Sequence, residues 1–282
     1  MIGEMPANRQ LATQQSRVSP TVPILLYHSV SDSPSSYIRR LAVPPDTFRR
    51  HLAAIAGRGC TTLTVSEYVD AAATGPANVP DRTVVVTFDD GYEDFYEHAL
   101  PALLDFGIKA TVYVTSGFLR EFDDGTAAAA CGRMMDVTQL QYAADAGTEI
   151  GGHTHSHPEL DTLRHADARD EIERCKSLLT EVLGREIRSF AYPYGYSSAS
   201  VRRLVEAAGY DSACGVKNAI SSPDDDRFSL SRLMIHNVTS LHDVEQWLAC
   251  TGAPIARRRE RIRTRGWRVV RRVRAATQQR RR

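Results

Sequence analysis

Thr83-Val-Val-Val-Thr-Phe-Asp-Asp-Gly91 is the stretch on which the fold reading turns. Its apolar residues run without a period of two, as expected of a parallel strand covered on both faces. The run stops at two carboxylates and a glycine that permits a sharp turn. Working outward, strand-like segments alternate with helical ones. On the amino-terminal side lie Pro23-Ile-Leu-Leu-Tyr-His28, a helix over 46–56 built on Phe48, Leu52 and Ile55 and ended by Gly57, a strand at 61–64 and a helix at 66–73. On the other side come a helix at 94–106, strands at 109–115, 149–153 and 189–192, and helices at 167–183 and 198–208. Such alternation predicts parallel βα units, which either a barrel or a doubly wound sheet would satisfy. Residues 120–135 break the pattern and read as an inserted loop, placed to act as a lid.

Asp89 and Asp90 emerge together at the predicted carboxyl end of a strand. Adjacent acids repel unless a cation joins them. With a metal, one can ligate while the other stays ionised to take a proton from bound water. An ordinary solvated Asp-Asp-Gly turn is the competing reading. It loses ground to His153-Thr-His-Ser-His157, three imidazoles within five residues just after another strand. Two histidines and one carboxylate leave positions open for water and substrate, the layout of a catalytic metal site. Ser189-Phe-Ala-Tyr-Pro-Tyr-Gly195 runs from a strand into an aromatic turn suited to stacking on a sugar and to donating backbone N–H groups to an oxyanion, although such turns also serve packing alone. His28 and His236 each follow an apolar run, in LLYH and LMIH. Either could supply the cationic acid that an amide's departing amine requires.

Together these motifs resemble the polysaccharide deacetylases of carbohydrate esterase family four, which share the chitooligosaccharide deacetylase homology domain. The resemblance covers about residues 23–250 and rests on TFDDG at 87–91 and HTHSH at 153–157. It implies an irregular (β/α) barrel of parallel strands with its site at their carboxyl ends. It also implies Asp89 as base and a divalent metal on Asp90, His153 and His157, zinc first, with cobalt and nickel also suited. His155 takes no role from it. The family's third motif has an Arg where this chain has Ala191, which leaves the contact that orients the catalytic Asp unsupplied. That departure, with the early YHSV segment, resembles the permuted branch typified by poly-N-acetylglucosamine deacetylases of biofilm matrix synthesis. There the acid precedes the Asp pair, which points to His28 over His236. The Tyr194 N–H, beside Gly195, matches the oxyanion contact. The implied activity is metal-dependent deacetylation of N-acetylated sugar residues in a polysaccharide, oligosaccharide or glycan precursor. The alternatives are an O-acetyl esterase and a non-catalytic carbohydrate-binding homologue. An iron oxygenase, which also uses two histidines and a carboxylate, fits poorly with the adjacent Asp89 and lacks a close H-x-D pair.

Composition bounds the rest. At 282 residues and 42% hydrophobic, the chain can bury one sizeable core. Its five cysteines are scattered without a CxxC pair, so neither a disulfide framework nor a cysteine zinc site is indicated. Residues 1–23 lack an apolar stretch fit for a signal peptide, and no run of ~20 apolar residues is present, so a cytoplasmic location is expected. The net charge of +1 hides an asymmetry: residues 257–282 hold thirteen Arg and one Glu, a charge of +12, leaving −11 on residues 1–256. The expected organisation is a flexible segment at 1–20, a catalytic domain at 21–252 and an Arg-rich tail at 253–282. Within that tail Ile262, Val269, Val270, Val273 and Ala276 fall near one helical face, with Trp267 nearby. This predicts a basic amphipathic helix for an anionic membrane, against the alternative of a solvated tail. No nucleic-acid recognition motif accompanies the charge, and the sequence is silent on oligomeric state.

Overall fold

The structure is a computed structural model that describes residues 21–123, 132–222, 225–256, 266–267 and 270–271. Ten strands and seven α-helices are named here in chain order: β1 (Ile24–Tyr27), β2 (Ser29–Val30), β3 (Ala42–Val43), α1 (Pro45–Gly57), β4 (Thr61–Leu63), α2 (Val65–Ala73), β5 (Thr83–Phe88), α3 (Leu100–Phe106), β6 (Thr111–Val114), α4 (Val137–Asp145), β7 (Glu149–Gly152), α5 (His165–Leu183), β8 (Ser189–Ala191), α6 (Ala199–Ala207), β9 (Ser212–Cys214), β10 (Leu233–Met234) and α7 (Leu241–Leu248). The main sheet runs β10-β1-β5-β6-β7-β8-β9, with β4 paired to the first half of β5, and its strand pairs are parallel. Cys214 at the β9 edge also pairs in parallel with Leu230, three residues before β10. The segment 230–234 therefore touches β9 at one end and β1 at the other, and the sheet curls back on itself. This is the irregular (β/α) barrel that the sequence leads one to expect.

The apolar strands alternate in space even though they do not alternate in sequence. Val84, Val86 and Phe88 of β5, Leu25 and Tyr27 of β1, and Val112 and Val114 of β6 pack in the large cluster shared with the helices. Val85, Ile24 and Tyr113 belong to a second cluster with Ala191, Cys214 and Leu230. Side chains at i and i+2 share a face. The parity that puts Ile24 and Val85 inside the barrel thus continues to His28 and Asp89 at the strand tips.

One predicted helix differs in detail. Residues 94–106 form a π-helical turn, Phe95–Ala99, that passes into α3. Pro101 near the start of α3 has no N–H to donate to the preceding turn, so the hydrogen-bond ladder widens there. Half of the predicted lid, residues 124–131, lies outside the described residues, but its flanks are tied down. Arg120 pairs with both Glu93 and Asp136, and Tyr92 bridges Met134. The predicted amphipathic face of the tail also lies mostly outside the described residues. Arg271, however, is 7% exposed and ion-paired to Asp161, so the Arg-rich segment makes a buried contact with the domain it follows.

Two glycines end β7. A Cβ on Gly151 would lie 2.5 Å from the ring of Tyr113, and one on Gly152 would lie 2.3 Å from the Tyr210 hydroxyl. These aromatic groups sit against bare backbone immediately before His153, and no side chain fits between. Gly151→Ala is expected to destabilise the fold by about 1–3 kcal/mol through overpacking, read as a lower urea midpoint at unchanged m-value.

Candidate active site

Five side chains predicted from the sequence meet at the carboxyl ends of β1, β5 and β7. Asp89 and Asp90 follow β5 directly, His153 follows β7, and His28 follows β1, whose register aligns Tyr27 with Phe88. His157 returns from the loop after β7, with its amide donating to Thr154 Oγ1 at 3.0 Å. One carboxylate oxygen of Asp90 and one imidazole nitrogen each of His153 and His157 lie within 4.8 Å of one another. Asp90 Oδ1 is 3.4 Å from His153 Nε2 and 3.2 Å from His157 Nε2.

The donor set fits a divalent metal. Asp90 Oδ1 is buried yet makes no hydrogen bond, although it faces two imidazole nitrogens. A buried carboxylate oxygen without a hydrogen bond is costly, and a cation shared with the two nitrogens would satisfy all three atoms. His153 Nδ1 donates to the Ala191 carbonyl at 2.8 Å, which presents Nε2 to Asp90 as a metal ligand requires. Local backbone strain accompanies the arrangement: Asp90 (φ 74°) and His157 (φ 62°) both occupy the left-handed region.

Asp89 is held differently. Arg232, completely buried, donates from both terminal nitrogens to the two Asp89 oxygens at 2.6 and 2.8 Å. Its Nε donates to the Gly215 carbonyl at 3.1 Å, and its guanidinium lies over Tyr113. This is the contact that Ala191 does not make. Arg232 supplies it from the closing segment 230–234, on the opposite edge of the sheet. Each Asp89 oxygen keeps a second lone pair. Burial alone would raise the Asp89 pKa, but the Arg232 and His153 charges outweigh it and hold Asp89 below its usual range. Asp90 lies further below for the same kind of reason: burial opposes, and His157 leads the opposite effects. Only one sequence signal could have singled out Arg232, namely a cation within the apolar run Leu230–Ile235.

The two candidate acids separate. His28 is buried and lies near enough to Asp90, Asp89, Arg232 and His153 to feel their charges, and its Nδ1 has no hydrogen-bond partner. Burial lowers its pKa, against the pull of the two carboxylates. His236 lies beyond β10, where its amide donates to Thr239 Oγ1 at 2.9 Å, and it joins none of the site's ion pairs. His155 turns away from the ligand cluster to Ser116 Oγ at 2.9 Å. Tyr194 has φ 58°, is half exposed, and its ring lies 4.8 Å from that of His157. The Gly195 N–H, by contrast, donates to the Tyr192 carbonyl at 2.8 Å. Its amide is used within the turn, and a Cβ there would lie 2.5 Å from Val216. Of the two residues predicted for the oxyanion contact, Gly195 thus has its amide committed to the turn.

Residues 77–213 match the family model for polysaccharide deacetylase. The chain carries a polysaccharide deacetylase domain over that stretch. It is an enzyme of the class such domains form, hydrolases of carbon–nitrogen bonds other than peptide bonds. Among curated relatives it is 28% identical over 216 residues to a putative polysaccharide deacetylase, YxkH, of Bacillus subtilis, covering 76% of this chain and 71% of that protein. It is 22% identical over 224 residues to a poly-beta-1,6-N-acetyl-D-glucosamine N-deacetylase of Staphylococcus aureus, covering 76% and 75%. Among solved structures it superposes on the Streptococcus pyogenes deacetylase PplD in complex with acetate, with a TM-score of 0.72, 25% identity, and 81% and 98% of the two chains covered. The fold is also that of IcaB from Ammonifex degensii, with a TM-score of 0.66, 22% identity, and 81% and 96% covered.

Two predictions follow from the electrostatics. Because the folded pKa of Asp89 is depressed, the Arg232 pair contributes stability that is present above the unfolded value of 3.8 and lost as pH falls through the folded value. Arg232→Met, which leaves Asp89 buried and unpaired, should cost about 3–5 kcal/mol at pH 7 in urea denaturation, and the gap from the wild type should narrow below about pH 4. The pKa of His157 is raised above 6.5, because Asp90 outweighs the effect of burial. A proton therefore competes for that nitrogen, and Co²⁺ affinity measured by calorimetry should begin to fall above pH 6.5 and weaken by roughly tenfold per unit on further acidification.

Proposed function

We propose that this chain hydrolyses the acetamide of N-acetylated hexosamine residues, releasing acetate and leaving a free amine. The observation that carries the reading is a division of labour between adjacent acids. Asp90 joins two imidazoles in a metal-ligand triad, while Asp89 is locked by Arg232 beside it and stays ionised. Asp90, His153 and His157 would hold a divalent metal, zinc by preference. When bound, that metal polarises the acetyl carbonyl and acidifies water.

The chain's own groups do the rest. Asp89 accepts a proton from the water that adds to the carbonyl carbon. Its orientation comes from the two Arg232 hydrogen bonds, so its remaining lone pairs point to a fixed place. The Tyr194 N–H donates to the oxyanion. His28 delivers a proton to the nitrogen as the C–N bond breaks, and its buried, unpartnered Nδ1 is suited to a proton that is passed on. The exposed Tyr194 ring next to His157 offers a face for a sugar. The Staphylococcus relative is named for β-1,6-linked N-acetylglucosamine polymer, which makes oligomers of that linkage the first substrate to offer.

The test is acetate release from N-acetylglucosamine oligomers, with acetylated xylan beside them, by chelator-treated protein before and after reloading with zinc or cobalt. Metal-restored release from the amide substrates is expected. Release from xylan alone would replace this reading with an O-acetyl esterase. Asp89→Asn should lower kcat by about 10²–10⁴ while still binding Co²⁺, and an active Asp89→Asn protein would remove Asp89 from the role of base.

A further inference from the structure

Arg271 is the most deeply seated of the described residues of the Arg-rich segment, and its surroundings lie next to the ligand loop. Its two terminal nitrogens donate to Asp161 Oδ1 and Oδ2 at 2.9 and 2.7 Å, and Glu159 Oε2 is 3.4 Å away. Its guanidinium carbon lies 3.5 Å from the centroid of the Tyr196 ring. Arg271 is 7% exposed and Asp161 2%. A buried bidentate pair of this kind, stacked on an aromatic face, is the geometry in which Arg is least replaceable by Lys.

The partners belong to two different loops. Glu159 and Asp161 come two and four residues after His157, in the loop that follows β7. Tyr196 comes two residues after Tyr194, in the turn that follows β8. From Arg271 the rings continue inward: Tyr196 stacks with Tyr194 at 6.2 Å, and Tyr194 meets His157 at 4.8 Å. The start of the His157 loop is tied to α5, whose Glu171 accepts from the His155 and Ser156 amides and the Ser156 hydroxyl; beyond that anchor, His157 and Tyr194 both have positive φ. A strained loop keeps its geometry only when its surroundings over-determine it.

We propose that Arg271 is a positioning residue that clamps the His157 loop to the Tyr194 turn, so that the Arg-rich segment is part of the catalytic unit. Its consequence for catalysis rests on the deacetylase reading of the site. The clamp itself is a statement about two loops. Removing the guanidinium takes two hydrogen bonds from the buried Asp161 carboxylate and the surface on which Tyr196 rests. The two loops then separate, and with them the metal ligand and the oxyanion donor.

The experiment compares the full-length wild type with Arg271→Ala, Arg271→Lys and Asp161→Asn by hydrogen–deuterium exchange and by Co²⁺ titration. Expected in Arg271→Ala is exchange about tenfold faster in both 154–163 and 192–198, with the amides of β5 and β7 unchanged. Co²⁺ affinity should fall about tenfold, and Arg271→Lys should recover only part of either effect. Millimolar methylguanidine should restore Arg271→Ala and fail to restore Asp161→Asn. If Arg271→Ala does not fold, Arg271→Lys carries the same comparison. Unchanged exchange in the two loops, or faster exchange spread evenly over the whole barrel, overturns the clamp. Faster exchange in the loops of a protein whose wild type binds no Co²⁺ leaves the clamp standing and overturns the metal reading alone.

Discussion

The buried pair of Arg232 and Asp89 is the interaction on which the rest of this structure depends. Arg232 is carried by the short segment that meets β9 through Leu230 and β1 through β10, so the pair forms across the seam where the sheet closes. Closing the barrel brings the guanidinium inside, and the charge can be tolerated there only because Asp89, Thr87 and the Gly215 carbonyl take its donors. Asp89 in turn can be buried and ionised only because that cation is present. A device that costs free energy as an isolated pair thus ties barrel closure to the orientation of one carboxylate. A site that must present a base at a fixed angle gains from being built on the seam of the fold rather than on a mobile loop.

The other acid is placed by opposite means. Asp90 has no guanidinium. It has two imidazole nitrogens and an oxygen without a hydrogen bond, held by backbone in the left-handed region. Strain of that kind marks residues whose position matters more than their comfort. The side chains around it reinforce the placement: Ala191 fixes the His153 ring through its carbonyl, and Gly151 and Gly152 let Tyr113 and Tyr210 close against β7 just below that histidine. Two neighbouring residues of one chemical type therefore face different partners, and their difference in role follows from those partners rather than from their own chemistry.

The parts that could be read in advance were those with a local signature. Thr83–Phe88 is apolar and bounded by turn-forming polar residues, so its strand could be read to the residue, and α1 and α2 could be read from their apolar spacing. The π-helical turn before α3 was hidden because apolar periodicity does not register a proline's missing donor. The strands β2, β3 and β9 were missed because two or three residues are too few to show any period, while β10 registered only as the apolar run before His236.

For the site, the sequence by itself determined the residue types: two adjacent carboxylates after a strand, a His-rich loop after another, and an aromatic turn after a third. Those are enough to raise the expectation of a metal hydrolase because the chemistry is written in short, contiguous motifs. Tertiary structure alone decided two things. It used the Gly195 amide within its own turn, and it brought Arg232 143 residues along the chain to Asp89. Arg271 reaches Asp161 over 110 residues in the same way. A contact across the closure of a barrel has no local pattern. Its partners are selected by which strand edges meet, and that is settled by the burial of the whole sheet rather than by any stretch of the chain.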